Sequence, residues 1–134
     1  MDHYERAVSL ATAGKPVFKA KHAAVLTYKG KILATGRNQY KTHPMMGRFN
    51  KHPEAVNLHA EIDCITRAIR LYGTSILKHS ELYVARVLAS GELGNSKPCL
   101  GCQKAIEAFS IPVVYWTTKE GWETLPSKEK ETKL

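Results

Sequence analysis

Two short motifs, His59-Ala60-Glu61 and Pro98-Cys99-Leu100-Gly101-Cys102, constrain the fold of this 134-residue chain more than any other feature. Apolar residues recur at helical spacing after each motif, so each motif is predicted to open a helix. Imidazole and thiolate groups are ligands that zinc prefers, and two cysteines at this spacing can reach one ion from a single helical turn. A chain that brings His59 to Cys99 and Cys102 must place the N-termini of two helices side by side.

Three protein ligands with no obvious fourth are typical of a catalytic zinc site, in which water takes the remaining position. Glu61 lies two residues beyond His59 and can project into the same cavity, where a carboxylate can carry protons. Alone, Pro-Cys-x-x-Cys also fits a redox pair or half of a zinc knuckle, and His-x-Glu fits a surface pair. Together they predict one catalytic zinc bound by His59, Cys99 and Cys102, with Glu61 as the acid/base. Cys64 is interpreted as a small core residue.

Hydrophobic periodicity, capping residues and turn residues predict an α/β fold. Because strands joined through helices pair in parallel, we expect a sandwich with a mixed sheet. Asp2 is predicted to cap the first helix and Gly14 to end it, while residues 36–56 and 89–97 are predicted loops. The predicted elements are a helix over 2–13, strands over 23–28 and 32–35 around Lys29-Gly30, a helix over 59–72, a strand over 82–88, a helix over 99–109, a strand over 112–116 and a turn with a short edge strand over 117–125.

The length and composition predict one domain over residues 1–134, with a frayed, charged tail over 126–134. Apolar residues make up 43% of the chain, enough for one core. No apolar run reaches the roughly 18 residues that a membrane-spanning helix needs, and the start of the chain lacks the apolar stretch of a secretory signal. Three cysteines, an odd number, form a poor disulfide framework. We therefore expect a cytoplasmic protein without membrane partners.

The positive charge is concentrated in the first part of the chain. From Arg6 to Pro53 there are ten lysines and arginines and no acidic residue, whereas residues 54–134 carry ten charges of each sign. This asymmetry produces the net charge of +8 and favours an anionic ligand, such as a phosphate or a nucleic acid. A solvated basic surface is the alternative. The candidate phosphate contacts are Arg37, Lys41, Arg48 and Lys51.

The paired motifs resemble those of the cytidine and deoxycytidylate deaminase superfamily, whose His-x-Glu and Pro-Cys-x-x-Cys signature marks zinc-dependent base deaminases. The resemblance covers roughly residues 20–117. It implies a three-layer sandwich, a mixed five-stranded sheet with helices on both faces, and one zinc ion per chain. It also implies substrate contacts from the Asn38 side chain, the Ala60 N–H group and the Lys97 carbonyl. We further expect a homo-oligomer.

The resemblance divides between branches of the superfamily. The first ligand is a histidine, which resembles the deoxycytidylate, tRNA-adenosine and polynucleotide deaminases; the small cytidine deaminases have a cysteine there. The end of the chain, from Tyr115 to Pro126, instead resembles the small cytidine deaminases. The first hypothesis is hydrolytic conversion of cytosine to uracil in a free nucleoside or nucleotide, with deoxycytidylate as the first candidate.

Two alternatives remain open from the sequence. One is a deaminase of single-stranded DNA or RNA, with cytosine as the first candidate base and adenine as the second, on whose bases Tyr40, Phe49, Trp116 and Trp122 could stack. The other is a non-catalytic zinc-binding module, against which Glu61 argues, since a structural site needs no carboxylate beside the metal. The loop histidines, His43 and His52, are assigned to surface or phosphate-contacting roles rather than to the metal.

Overall fold

The computed structural model describes residues 2–13, 20–38 and 59–126. The elements within these ranges are α1 (His3–Thr12), β1 (Ala20–Tyr28), β2 (Lys31–Arg37), α2 (Ala60–Tyr72), a short 3₁₀ helix (Ser75–His79), β3 (Glu81–Leu88), α3 (Leu100–Ala108), β4 (Val113–Thr118) and β5 (Gly121–Pro126). Every predicted helix and strand is present. Residues 127–134 of the predicted tail lie outside the described ranges, and Pro126 is the last residue of β5.

The five strands form one mixed sheet in the order β2-β1-β3-β4-β5. β1 pairs antiparallel with both β2 and β3, and β4 pairs antiparallel with β5. Among the strands that the structure describes, the one parallel pair is β3 with β4, and α3 is the helix that connects them, as the crossover requires. In the β1–β2 turn Lys29 and Gly30 have φ angles of 49° and 80°, the left-handed pair that a tight hairpin needs.

Helices cover both faces of the sheet, so the predicted three-layer sandwich is confirmed. On one face Ala24 and Leu26 of β1 form a buried cluster with Leu82, Val84 and residues of α2 and α3. On the other face the alternate positions, including Ala23 and Val25, pack against Ala7 and Ala11 of α1. The period-two alternation of each strand therefore divides the core into two layers.

Asp2 caps α1 as predicted. Its carboxylate accepts from the Glu5 N–H at 2.7 Å, and the Glu5 carboxylate accepts from the Asp2 N–H at 3.1 Å. The two bonds complete a capping box, which satisfies two backbone donors at the helix start. Gly14, the predicted stop, lies outside the described residues.

Several boundaries differ from the sequence prediction. β2 extends to Arg37, into the predicted loop, because its ladder with β1 continues to the pair Ala23 and Arg37. The 3₁₀ helix was not predicted. Tyr72, the last residue of the predicted helix, is 49% exposed and its neighbour Leu71 is 66% exposed, so the last turn of α2 presents apolar side chains to solvent. Cys64 is fully buried and its thiol donates to the Ala34 carbonyl at 3.4 Å, which confirms its core role.

The segment 89–97 was predicted as a loop, but it follows a specific path. It turns back beside β3, where the Leu88 N–H donates to the Glu92 carbonyl and the Gly94 N–H to the Arg86 carbonyl, both at 2.9 Å. The residues of the predicted loop 36–56 that follow Asn38 lie outside the described ranges. None of the described helices is long and apolar enough to cross a bilayer.

Candidate active site

The motif residues meet at one edge of the sheet. The antiparallel pairing of β1 with β2 and β3 places the carboxyl ends of β2 and β3 beside the amino end of β1. α2 begins against the end of β2 at Gly36, where an added Cβ would come within 2.5 Å of both the Ala60 carbonyl oxygen and the Cys64 nitrogen. Glycine therefore allows the backbones of strand and helix to touch. This approach brings the start of α2 to the edge at which β3 ends.

The three predicted metal ligands lie together there. His59 precedes α2 as its N-cap, Cys99 is the N-cap of α3 and Cys102 lies in the first turn of α3. The His59 Nδ1 atom is 3.3 Å from the Cys102 Sγ atom and 3.6 Å from the Cys99 Sγ atom. All three ligand atoms lie within 4.8 Å of one another. Residues that are 40 positions apart in the chain thus form one compact cluster.

The cluster fits a tetrahedral zinc ion. Zinc–nitrogen and zinc–sulfur bonds of about 2.0–2.3 Å place neighbouring ligand atoms roughly 3.5–3.8 Å apart, close to the two distances above. Two thiolates and one imidazole are a donor set that zinc favours over magnesium or calcium. Within the described part of the chain, His59, Cys99 and Cys102 are the group of side chains that could hold a metal ion. His43 and His52 lie outside that part.

The surroundings of the two cysteines shift their pKa values in opposite directions and favour the thiolate form at Cys99. The Cys102 N–H donates to the Cys99 Sγ atom at 3.5 Å, as expected for a side chain that caps a helix. Hydrogen bonding from Cys102, followed by contact with His59, lowers the pKa of Cys99 to about 3. The same hydrogen bond to Cys99, followed by burial, raises the pKa of Cys102. The Cys99 contact also raises the pKa of His59.

Glu61 is a buried carboxylate beside this cluster. Its side chain is 6% exposed, and Cys102 is within its hydrogen-bonding reach. Burial raises the pKa of Glu61 to about 7, against smaller opposing effects from its own backbone N–H and from His59. A carboxyl group with such a pKa can both accept and donate a proton near neutral pH.

The predicted substrate contacts lie at the same edge. Asn38 follows β2, and its Oδ1 atom accepts from the His22 N–H at 3.0 Å, which holds the amide beside β1. Ala60 is the first residue of α2, whose first-turn N–H groups have no acceptor within the helix. Lys97 lies just before the cysteine motif, and its N–H donates to the Asn95 Oδ1 atom at 3.0 Å. Arg37 is exposed beside Asn38, while Lys41, Arg48 and Lys51 lie outside the described residues.

Three side chains near the site were not predicted from the sequence. Asp63 accepts from the Arg37 N–H at 3.1 Å and pairs with Arg67 at 3.1 Å, which ties the end of β2 to α2.

His22 and Arg86 are register partners on β1 and β3. Burial, followed by the charges of Arg86 and His59, lowers the pKa of His22 to about 4. Strand alternation could have revealed His22, because it shares a face with Ala24 and Leu26.

Comparisons with known proteins agree with this geometry. The family described as "Cytidine and deoxycytidylate deaminase zinc-binding region" matches residues 1–118. Cytidine deaminase from Burkholderia pseudomallei is similar in structure, with a TM-score of 0.66 and 16% identity over 96% of this chain and 95% of that one. The dCMP deaminase of cyanophage S-TIM5 has a TM-score of 0.53 and 22% identity, covering 86% and 82% of the two chains. No curated protein sequence matches significantly.

A purine deaminase also shares the fold. Guanine deaminase from Bacillus subtilis has a TM-score of 0.53 and 26% identity over 88% of this chain and 65% of that one. The fold therefore accommodates more than one base.

The chain belongs to the cytidine and deoxycytidylate deaminase family, because the family match covers most of its length. It is a zinc-dependent hydrolytic deaminase, with His59, Cys99 and Cys102 positioned to bind one metal ion.

Proposed function

We propose that this protein deaminates cytosine to uracil in a free nucleotide, with deoxycytidylate as the first candidate substrate. The observation that supports deamination is the placement of the buried Glu61 carboxyl beside the His59, Cys99 and Cys102 cluster. The net reaction replaces the exocyclic amino group of the base by an oxygen from water and releases ammonia.

Each residue at the edge has a separate task in this proposal. Zinc, when bound, supplies hydroxide near neutral pH. The Glu61 carboxyl takes up a proton, delivers it to the ring nitrogen of the base and then transfers a proton to the leaving amine. The Ala60 N–H donates to the base carbonyl, and the Lys97 carbonyl accepts from the amino group. Asn38, held by β1, orients the sugar or the base.

The position of Trp116 favours a free substrate over a polynucleotide. Trp116 is 6% exposed within the core cluster under α2 and α3. Trp122 lies on the other face, 4.8 Å from the Tyr4 ring between centroids. Trp116 therefore packs in the core with Lys97 over its ring, whereas Trp122 is only partly buried against the aromatic side chains on the α1 face, so it is Trp116 that supports a free substrate. Tyr40 and Phe49, the other two candidates, lie outside the described residues.

The described lysines and arginines lie at different distances from the metal ligands. Lys29 lies in the turn at the opposite end of the β1–β2 hairpin, and Lys31 follows that turn. Arg37 and Lys97, by contrast, lie at the edge that carries the metal ligands, and Lys97 extends over the Trp116 ring at 5.7 Å. We propose that Arg37, together with Lys41, Arg48 and Lys51, attracts a substrate phosphate. One charge-assisted contact contributes roughly 1.5–3 kcal/mol, or about 10- to 150-fold in binding.

The test compares phosphorylated with unphosphorylated substrates at low and high salt. We expect kcat/KM for deoxycytidine monophosphate to exceed that for deoxycytidine by at least about tenfold at low salt, with the advantage shrinking as salt rises. Cytidine, its monophosphate, adenosine, guanine and single-stranded oligomers of both sugars complete the panel. Steep, salt-sensitive activity on oligomers that is absent on monomers would instead identify a polynucleotide deaminase.

Two charge reversals on the same strand sharpen the test. Arg37→Glu should erode the preference for the monophosphate and leave nucleoside turnover nearly unchanged. Lys31→Glu is the matched control, since Lys31 is exposed at the other end of β2, about 20 Å away along the strand. Equal kcat/KM of the parent for deoxycytidine and its monophosphate at low salt would contradict the proposal and show that the basic segment does not bind the substrate phosphate.

A further inference from the structure

A buried pair of hydroxyl groups lies between β3 and β4, just before the cysteine motif. The two strands pair directly from Glu81 with Val113 up to Val84 with Trp116. Beyond that point the segment from Gly94 to Ser96 fills the space between them. The Gly94 N–H donates to the Arg86 carbonyl on β3, and the Ser96 N–H donates to the Thr117 carbonyl on β4, both at 2.9 Å. The segment is therefore bonded to the sheet from both sides.

The side chains of Ser96 and Thr117 complete this connection. Ser96 is 3% exposed and Thr117 is fully buried. The Ser96 hydroxyl donates to the Val84 carbonyl at 2.7 Å and accepts from the Thr117 N–H at 2.8 Å. The Thr117 hydroxyl donates to the Gly94 carbonyl at 2.7 Å and accepts from the Arg86 N–H at 3.1 Å. Each hydroxyl thus uses its one hydrogen and an acceptor lone pair on backbone groups that would otherwise be buried without partners.

This network is directly connected to the metal site along the chain. Ser96 is followed by Lys97, Pro98 and Cys99. On the far side of the motif, the Gln103 Nε2 atom of α3 donates to the Pro98 carbonyl at 2.7 Å. The short segment between these two attachments carries the Lys97 carbonyl and ends at the Cys99 ligand. A shift of Ser96 must therefore move both groups relative to His59, which is attached through α2.

We propose that Ser96 and Thr117 are positioning residues that set the location of the Cys99 sulfur and the Lys97 carbonyl relative to the rest of the site. The side-chain hydrogen bonds of Ser96 and Thr117 described here reach backbone groups of the sheet and of the segment before Cys99, not the metal ligands. They act by fixing where the segment leaves the sheet. The part of the proposal that concerns the Lys97 carbonyl rests on the proposed function, whereas the part that concerns Cys99 rests on the metal site alone.

A second buried threonine provides a matched control. Thr27 of β1 is 1% exposed, and its Oγ1 atom has no hydrogen-bond partner among the described residues. It pairs with Glu81 near the end of the sheet opposite the metal ligands. Thr27→Val and Thr117→Val therefore make the same chemical change in the same kind of strand, but only the second removes a hydroxyl that holds the segment before Cys99.

The experiment measures metal binding in Thr117→Val, Thr117→Ser and Thr27→Val, with cobalt(II) as a spectroscopic substitute for zinc. Loss of a residue that hydrogen-bonds directly to a metal ligand typically weakens metal binding or activity by about 10- to 100-fold, which sets the upper scale for residues that act through the backbone. We expect Thr117→Val to bind both metals about tenfold more weakly and to show altered cobalt absorption bands. Thr117→Ser, which keeps the hydroxyl, should restore both properties. Thr27→Val should match the parent.

Ser96→Ala provides a second variant in case Thr117→Val does not fold, and it should change the cobalt spectrum in the same direction. A parental cobalt spectrum and metal affinity within twofold of the parent in folded Thr117→Val and Ser96→Ala would overturn the proposal. The same effect in Thr27→Val would also overturn it, because the change would then be a general response to core substitution. These readouts need no substrate, so they remain decisive if the proposed nucleotide is wrong.

Discussion

At the scale of single residues, two carboxylates in the first turns of α2 show how surroundings assign a role. Glu61 and Asp63 are both buried, at 6% and 5% exposure. Asp63 is committed to the Arg37 N–H and to Arg67, so its charge is used to hold β2 against α2. Glu61 instead lies among the metal-ligand side chains, where burial raises its pKa to about 7. A structural and a proposed catalytic carboxylate thus lie two positions apart.

The first prediction concerns Glu61→Gln. The amide has nearly the same shape but cannot carry a proton, so zinc content and fold should be retained while kcat falls about 10²–10⁴-fold. Metal analysis and a product assay on the zinc-loaded protein provide the measurement. Glu107→Gln, on the exposed side of α3, is the control and should behave as the parent. Activity of Glu61→Gln within tenfold of the parent would assign the proton transfer to another group.

At the scale of elements, the site depends on a helix and a strand that approach to backbone contact. Gly36 of β2 lies against the first turn of α2, in space that no side chain could share. The Arg37 N–H bond to Asp63 fastens the same contact one residue later. Because His59 precedes α2 directly, this contact determines how far the imidazole lies from the cysteines of α3.

The second prediction is that Gly36→Ala weakens both the fold and the metal site. A methyl group there would press on the backbone of Ala60 and Cys64, and overpacking of this kind costs about 1–3 kcal/mol. The free energy of unfolding and the zinc affinity should both fall. Gly30→Ala is the control: it has open space but a φ of 80°, so it should lower stability by about 1–2 kcal/mol without changing zinc affinity. Parental zinc affinity in Gly36→Ala would show that the approach does not set the ligand geometry.

At the scale of the whole molecule, the metal ligands join two helices that share one core cluster but make few direct contacts with each other. α2 packs mainly on β2 and β1, and α3 connects β3 to β4. A bound ion would therefore cross-link two parts of the sandwich that lie 40 residues apart in the chain. Ligands that bind only the folded state stabilise it by mass action.

A single domain over residues 1–134, a homo-oligomeric state and a cytoplasmic location stay predictions.

The third prediction follows from the stabilisation by a bound ion. Zinc at 100-fold over its dissociation constant should raise the free energy of unfolding by about 2.7 kcal/mol, and a chelator should remove that gain. Thermal unfolding with zinc and with chelator provides the measurement. Glu61→Gln should show the parental difference, because Glu61 is not a ligand. Cys99→Ala should show little or none and should bind little zinc, so full zinc occupancy in that variant would refute the ligand assignment.

The sequence by itself determined the order and type of the helices and strands other than the 3₁₀ helix, and it singled out His59, Cys99 and Cys102 as the metal ligands. Those properties depend on local periodicity, on capping residues such as Asp2, and on the chemistry of histidine and cysteine at close spacing. The tertiary structure alone revealed the contact at Gly36, the commitment of Asp63 to β2 and the Ser96–Thr117 network. Each of these joins residues that are far apart in the chain, and serine, threonine, glycine and aspartate occur in many turns and caps. Their roles depend on which backbone groups become buried opposite them, and only the packed fold decides that.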